Sequence, residues 1–149
     1  MANIKILVGS VYGNALDVAE SCGEKLVNLS HSVTLLRTPQ IENFVADDSD
    51  VFLICTSTTG QGEIPDSLLQ LYCQLKDRCP PMPTKRYGLI ALGDSGYETF
   101  AEAGHQMDEL MQELQLVRLG EPLLIDACET LSPIEDAGVW LEAWAELLV

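Results

Sequence analysis

A chain of 149 residues, 47% of it apolar, is long enough to bury one continuous core, so a single domain spanning 1–149 is the expectation. Its 23 acidic residues against 8 basic ones leave a formal charge of −15, which disfavours nucleic acid and anionic lipid as partners and suits basic ones. No apolar run reaches bilayer length and no basic leader precedes an apolar stretch, so membrane and secretory classes fall away and a cytoplasmic location is expected.

The first predicted element is a strand from Ile4 to Val8. It runs into Gly9-Ser10-Val11-Tyr12-Gly13-Asn14-Ala15, a turn of small and hydroxyl-bearing residues that opens a helix marked by Ala15, Val18, Ala19, Cys22, Leu26 and Leu29 at three- and four-residue steps. A helix start offers unpaired N–H groups and the positive end of the helix dipole, so this turn is a candidate phosphate site, with Ser10 and Asn14 as side-chain donors. It holds no Lys or Arg, and neither GxxxxGK[ST] nor GxGxxG follows the strand. A phosphate held without a cation suits a mononucleotide; an ordinary N-capped turn is the competing interpretation.

A weaker second strand covers Ser32 to Leu36, and a third runs from Val51 to Thr56. The third opens into Ser57-Thr58-Thr59-Gly60-Gln61-Gly62-Glu63-Ile64-Pro65-Asp66, where two glycines two apart permit backbone approach to a flat ligand. Leu68, Tyr72 and Leu75 mark a second helix with Pro65 expected in its first turn. Cys79-Pro80-Pro81-Met82-Pro83 is a stiff connector to a fourth strand, Tyr87 to Leu92. The loop after it, Gly93-Asp94-Ser95-Gly96-Tyr97-Glu98-Thr99-Phe100, presents Tyr97 for stacking on a conjugated ligand.

Met107, Leu110, Met111 and Leu114 define a third helix. A fifth strand spans Leu119 to Asp126, with Pro122 arguing for an edge position or a bulge. A last helix runs from Val139 to Leu148, with Trp140 and Trp144 expected to pack in the core. Strands alternating with helices predict a doubly wound parallel α/β sheet, in which ligands sit beyond the carboxyl ends of the strands. Cys22, Cys55, Cys73, Cys79 and Cys128 lack metal-type CxxC spacing and are expected as reduced thiols, several of them in the core. His31 and His105 lie apart from the loops and have no paired Ser or Cys motif, so no catalytic or metal residue is assigned.

Taken together, Ser10-Val11-Tyr12-Gly13-Asn14, Ser57-Thr58-Thr59-Gly60-Gln61-Gly62 and Leu92-Gly93-Asp94-Ser95-Gly96-Tyr97 resemble the three cofactor loops of the flavodoxin family, in its short-chain form. The resemblance implies a three-layer fold with five parallel strands in the order 2-1-3-4-5, helices on both faces, and FMN as cofactor. It places Ser10, Val11, Tyr12, Gly13, Asn14 and Ala15 on the FMN phosphate. Thr58, Thr59, Gly60 and Gln61 would lie along the ribityl and isoalloxazine, Asp94 and Tyr97 would line the other side, and Gly62, Leu92, Gly93 and Phe100 are further cofactor-binding residues. It further implies a monomeric carrier cycling through oxidised, semiquinone and hydroquinone states between a basic flavodoxin/ferredoxin-NADP reductase and acceptor enzymes, with Glu63, Asp66, Glu98 and Glu102 steering them. Ala15 stands where many members have Thr or Ser, and the second loop lacks the tryptophan that stacks on the flavin in others. A small FMN-dependent NAD(P)H or quinone reductase and a cofactor-free regulatory module are the alternatives that the same fold allows.

Overall fold

The computed structural model describes residues 3–10, 13–42, 51–57, 64–93, 102–126 and 132–148. In chain order these form β1 (Asn3–Gly9), α1 (Asn14–Asn28), β2 (Ser32–Leu36), β3 (Val51–Ser57), α2 (Asp66–Arg78), β4 (Arg86–Gly93), α3 (Glu102–Glu113), β5 (Val117–Arg118), β6 (Leu123–Asp126) and α4 (Pro133–Glu146). All strand pairings are parallel, in the order β2-β1-β3-β4-β5, with β6 also paired to β4. This is the doubly wound flavodoxin-like sheet expected, with one correction at its edge.

The fifth position is filled by two short strands instead of one continuous strand from Leu119 to Asp126. From Arg118 to Leu123 the chain advances five residues while β4 advances three, from Tyr87 to Ile90, so two residues have no place in the ladder. Gly120, at φ +73°, turns the chain there, and Pro122 has no N–H to donate. The stub β5 is held from the side: Leu119 N–H donates to the Tyr87 carbonyl at 2.8 Å, and Arg118 pairs with Asp108 of α3 at 2.8 Å. Asp108 also accepts the Tyr87 hydroxyl proton, and burial together with that bond pushes the Tyr87 phenol above its ordinary value.

The central strands bury both faces, as parallel strands must. Side chains alternate between two cores: Ile4, Ile6, Val8, Leu53, Cys55 and Ile90 meet α1 and α4, while Leu7, Phe52, Ile54 and Leu89 meet α2 and α3. The helical stripe of α1 is buried at Ala15, Val18, Ala19, Cys22 and Leu26, but Leu29 is the C-cap and 51% exposed, because the helix has ended and the chain turns away. Met107, Leu110, Met111 and Leu114 are buried as expected; along α2, Leu71 joins Leu68 and Leu75, and Tyr72 is only half-buried.

Two further boundaries differ from expectation. Pro65 sits one position earlier, as the N-cap of α2, where its carbonyl accepts from both Leu68 and Leu69 N–H at 2.9 Å. The last helix starts six residues sooner, at Pro133, because the Ser132 hydroxyl accepts from Glu135 N–H and proline is suited to the first turn. Within it, Trp144 is buried; Trp140 is half-buried, stacks on Trp144 with centroids 5.6 Å apart, and donates its indole N–H to the Glu121 carbonyl at 3.0 Å.

Gly23, in the middle of α1, leaves room for a methyl group: a Cβ there would lie 3.5 Å from Ile6 and 3.6 Å from Val33, ordinary contact distances. Gly23→Ala is expected to stabilise the fold by about 1 kcal/mol through helix propensity, raising Tm by roughly 3 °C in a thermal melt. A lower Tm would mean that α1 lies closer to the sheet than these distances state.

Cys22 and Cys55 are buried free thiols, whereas Cys73 and Cys79 are exposed; Cys128 lies outside the described residues. Desolvation pushes the Cys22 thiol from 9.0 up to about 11, with Lys25 pulling weakly the other way, and burial raises Cys55 in the same direction. A group that binds its proton more tightly in the folded chain adds stability below its unfolded value and loses it as pH climbs through the folded one. The Cys22 contribution, about 2–3 kcal/mol at most, is therefore complete below pH 9 and lost by about pH 11. Urea unfolding across this window should show a shallower loss of stability in Cys22→Ala than in the parent; parallel curves would assign the alkaline loss elsewhere.

Candidate functional site

Sheet register brings the ends of three strands to one place. Gly9 pairs with Thr56 and Ser57 with Leu92, so β1, β3 and β4 end side by side, and the segments after Gly9, Ser57 and Gly93 leave the sheet from adjacent positions. Of the expected site residues, Ser10, Gly13, Asn14, Ala15, Leu92 and Gly93 are described. Val11, Tyr12, Thr58, Thr59, Gly60, Gln61, Gly62, Asp94, Tyr97 and Phe100 lie outside the described residues.

The first loop starts from a close approach. A Cβ on Gly9 would stand 2.6 Å from Thr56 Oγ1 and 3.0 Å from Leu68 Cδ2, so only glycine lets β1 pass between β3 and the first turn of α2. The next residue, Ser10, accepts a hydrogen bond on its hydroxyl from Gly13 N–H at 2.9 Å. Gly13 is the N-cap of α1 and adopts φ +89°, a left-handed conformation that glycine takes without strain. From there the chain drops inward, from exposed Asn14 to fully buried Ala15.

Gly13 has no side chain to cap the helix, and the first intrahelical bond is Asp17 N–H to the Gly13 carbonyl at 2.9 Å. By helix geometry the amides of Asn14, Ala15 and Leu16 then have no acceptor within α1. Three N–H groups, the Ser10 hydroxyl and the dipole of a 15-residue helix converge at the rim of the sheet. That donor set is neutral and directional, and it fits a phosphate monoester. Asp17, the acid of this turn, is exposed.

Beneath the loop, Cys55 of β3 donates its S–H to the Ala15 carbonyl at 3.3 Å; burial keeps that thiol protonated and so preserves the bond. Ser57 donates to the Gly9 carbonyl at 3.3 Å. Thr56, the buried polar residue among those described, donates to the Ser57 carbonyl at 2.9 Å. At the end of β4, Leu92 is buried and Gly93 half-buried, with Gly93 in register with Asp126 of β6. Sequence reasoning missed the anchoring by Cys55 and Thr56, for which the strand pattern carries only a burial signal. It also missed Ser67 of α2, which accepts from Ser10 N–H at 3.2 Å.

A doubly wound parallel sheet whose first loop presents amides and a hydroxyl, without a cation, defines a mononucleotide-binding α/β protein. Comparison with known proteins narrows the class. The flavodoxin family signature matches residues 6–138. Flavodoxin YqcA of Escherichia coli is 43% identical over 148 residues, covering 99% of both chains, and the MioC protein of the same organism is 33% identical with the same coverage. A cysteine-to-serine mutant of a flavodoxin from Pseudomonas aeruginosa superposes with a TM-score of 0.92 at 38% identity, covering 98% of each chain. The chain belongs to the flavodoxin family, FMN-binding electron-transfer proteins. Among the described residues no helix is long and apolar enough to cross a membrane, and no His, Cys, Asp and Glu cluster forms a metal site.

Proposed function

We propose that this chain is a single-domain, monomeric, cytoplasmic carrier that holds FMN by Ser10 and the amides at the start of α1 and passes electrons between larger enzymes without a substrate of its own. The observation that carries this reading is the uncapped N-terminus of α1 beside the Ser10 hydroxyl. The residues assigned to the cofactor are Ser10, Val11, Tyr12, Gly13, Asn14 and Ala15 at the phosphate, Thr58, Thr59, Gly60, Gln61 and Gly62 in the middle loop, Leu92 and Gly93 at the end of β4, and Asp94, Tyr97 and Phe100 after it in sequence. Bound FMN supplies the redox chemistry; the protein orients it and sets how tightly each oxidation state is held. Purified protein titrated with FMN should bind one equivalent and show a flavin spectrum. A colourless protein that refuses FMN overturns the reading.

Exposed Asp66 and Glu102 open α2 and α3 at the end of the sheet where the cofactor loops emerge, and Glu63 and Glu98 adjoin them in sequence. With a net charge of −15, this rim favours a basic redox partner of the flavodoxin/ferredoxin-NADP reductase kind. Reduction of the FMN form by such a reductase is expected to slow by roughly tenfold between low and high salt, because screening shortens the reach of surface charge. A rate that does not move with salt would leave electrostatic docking without support.

A further inference from the structure

The phosphate loop is held in place by a side chain that belongs to none of the three loops. Ser67, the second residue of α2, lies 57 positions from Ser10 in sequence, yet its Oγ accepts from Ser10 N–H at 3.2 Å. The same hydroxyl donates to the Val8 carbonyl at 3.5 Å. One hydroxyl thus brackets Gly9, serving the last inward carbonyl of β1 and the first amide of the loop. These backbone groups flank Gly9, whose pairing with Thr56 is the last of the β1–β3 ladder. Leu68, the next residue of α2, presses on Gly9 from the same side, so the helix turn and the strand exit are locked together.

From Ser67 the hydrogen bonds continue toward the helix start. Ser67 fixes the Ser10 amide; Ser10 Oγ in turn fixes Gly13 N–H at 2.9 Å; Gly13 is the residue from which α1 starts. With its amide held by Ser67 and its oxygen engaged by Gly13, the Ser10 side chain is confined to one orientation.

We propose that Ser67 is a positioning residue for the phosphate anchor: through the Ser10 amide it sets where the Ser10 hydroxyl and the α1 amides stand, and so selects for the phosphorylated flavin. This rests on the assignment of the first loop to the FMN phosphate. Ser67 touches no ligand atom in this account; it acts through Ser10. The role also ties the middle loop to the first, because α2 begins where the middle loop ends.

The test compares two ligands on one protein. Apo-protein, its Ser67→Ala variant and its Ser67→Thr variant are titrated with FMN and with riboflavin, which lacks the phosphate, following quenching of flavin fluorescence. Loss of one supporting hydrogen bond is expected to weaken FMN binding by about fivefold to tenfold in Ser67→Ala and to leave riboflavin binding unchanged. Ser67→Thr, which keeps the hydroxyl, should retain FMN affinity within about twofold of the parent. A general loss of structure would lower both affinities together, and that outcome overturns the proposal, as does an unchanged FMN affinity in Ser67→Ala. If the parent itself fails to bind FMN, the assignment of the loop falls first and this inference with it.

Discussion

Gly88→Ala is expected to lower stability by about 3 kcal/mol and Tm by roughly 6–12 °C, although it adds a single methyl group to the middle of a strand. The reason is Trp144. A Cβ at position 88 would stand 2.4 Å from the indole Nε1, 2.5 Å from Cε2 and 2.7 Å from Cζ2. The indole is 2% exposed and stacked on Trp140, whose own ring is tethered to the Glu121 carbonyl, so it has nowhere to withdraw. Its N–H finds no hydrogen-bond partner among the described residues, so a smaller ring gives up no hydrogen bond to them. Trading it for a smaller ring should therefore rescue the crowded variant. In a double-mutant cycle, Trp144→Phe on the Gly88→Ala background should recover more than about 1 kcal/mol of the loss. Additive effects, or a Gly88→Ala melt within a degree of the parent, would show that the indole does not rest on β4.

The second large effect concerns cofactor affinity. Gly9→Ala should weaken FMN binding at least about tenfold, near 1.4 kcal/mol, measured by fluorescence titration of apo-protein. The added methyl would meet Thr56 Oγ1 at 2.6 Å and Leu68 at 3.0 Å. Thr56 is buried with its hydroxyl committed to the Ser57 carbonyl, and Leu68 is fully buried, so neither can swing aside. Relief comes only by moving the exit of β1 by most of an ångström, which carries the Ser10 hydroxyl and the α1 amides out of register with a phosphate. If the variant folds and binds FMN as tightly as the parent, the first loop is not the phosphate anchor.

Much of this was legible in the sequence, for reasons that differ by element. β1, β3 and β4 announce themselves because strands buried on both faces must be apolar at nearly every position, and Val51 to Cys55 is so throughout. The first loop was legible through what it contains and lacks: glycine and serine ahead of a periodic helix, and no lysine. The start of α4 was also written locally, since Ser132-Pro133-Ile134-Glu135 carries an N-cap, a first-turn proline and an acid three residues on. The four-residue spacing of Trp140 and Trp144 marks only the later turns of that helix. The broken edge strand was half legible. Pro122 marked an irregularity, but that the chain would pair twice with β4 depends on Asp108 and Tyr87 holding Arg118 and Leu119, contacts made across the fold that no local pattern encodes. Ser67 and the Gly88–Trp144 approach were not legible at all, because each joins residues more than fifty apart and neither leaves a periodic or compositional trace.

That broken edge also bears on how the protein behaves when crowded. A sheet grows onto a neighbouring chain by offering a straight, uninterrupted row of backbone donors and acceptors. One border here is β2, five residues long; the other presents two residues, a kink carrying Gly120 and Pro122, and then four more. A foreign strand seated on Val117 and Arg118 would have to break step before reaching Leu123. Like charge keeps such chains apart only in dilute salt, whereas this interruption is built into the backbone and guards against amyloid-type stacking when the charge is screened.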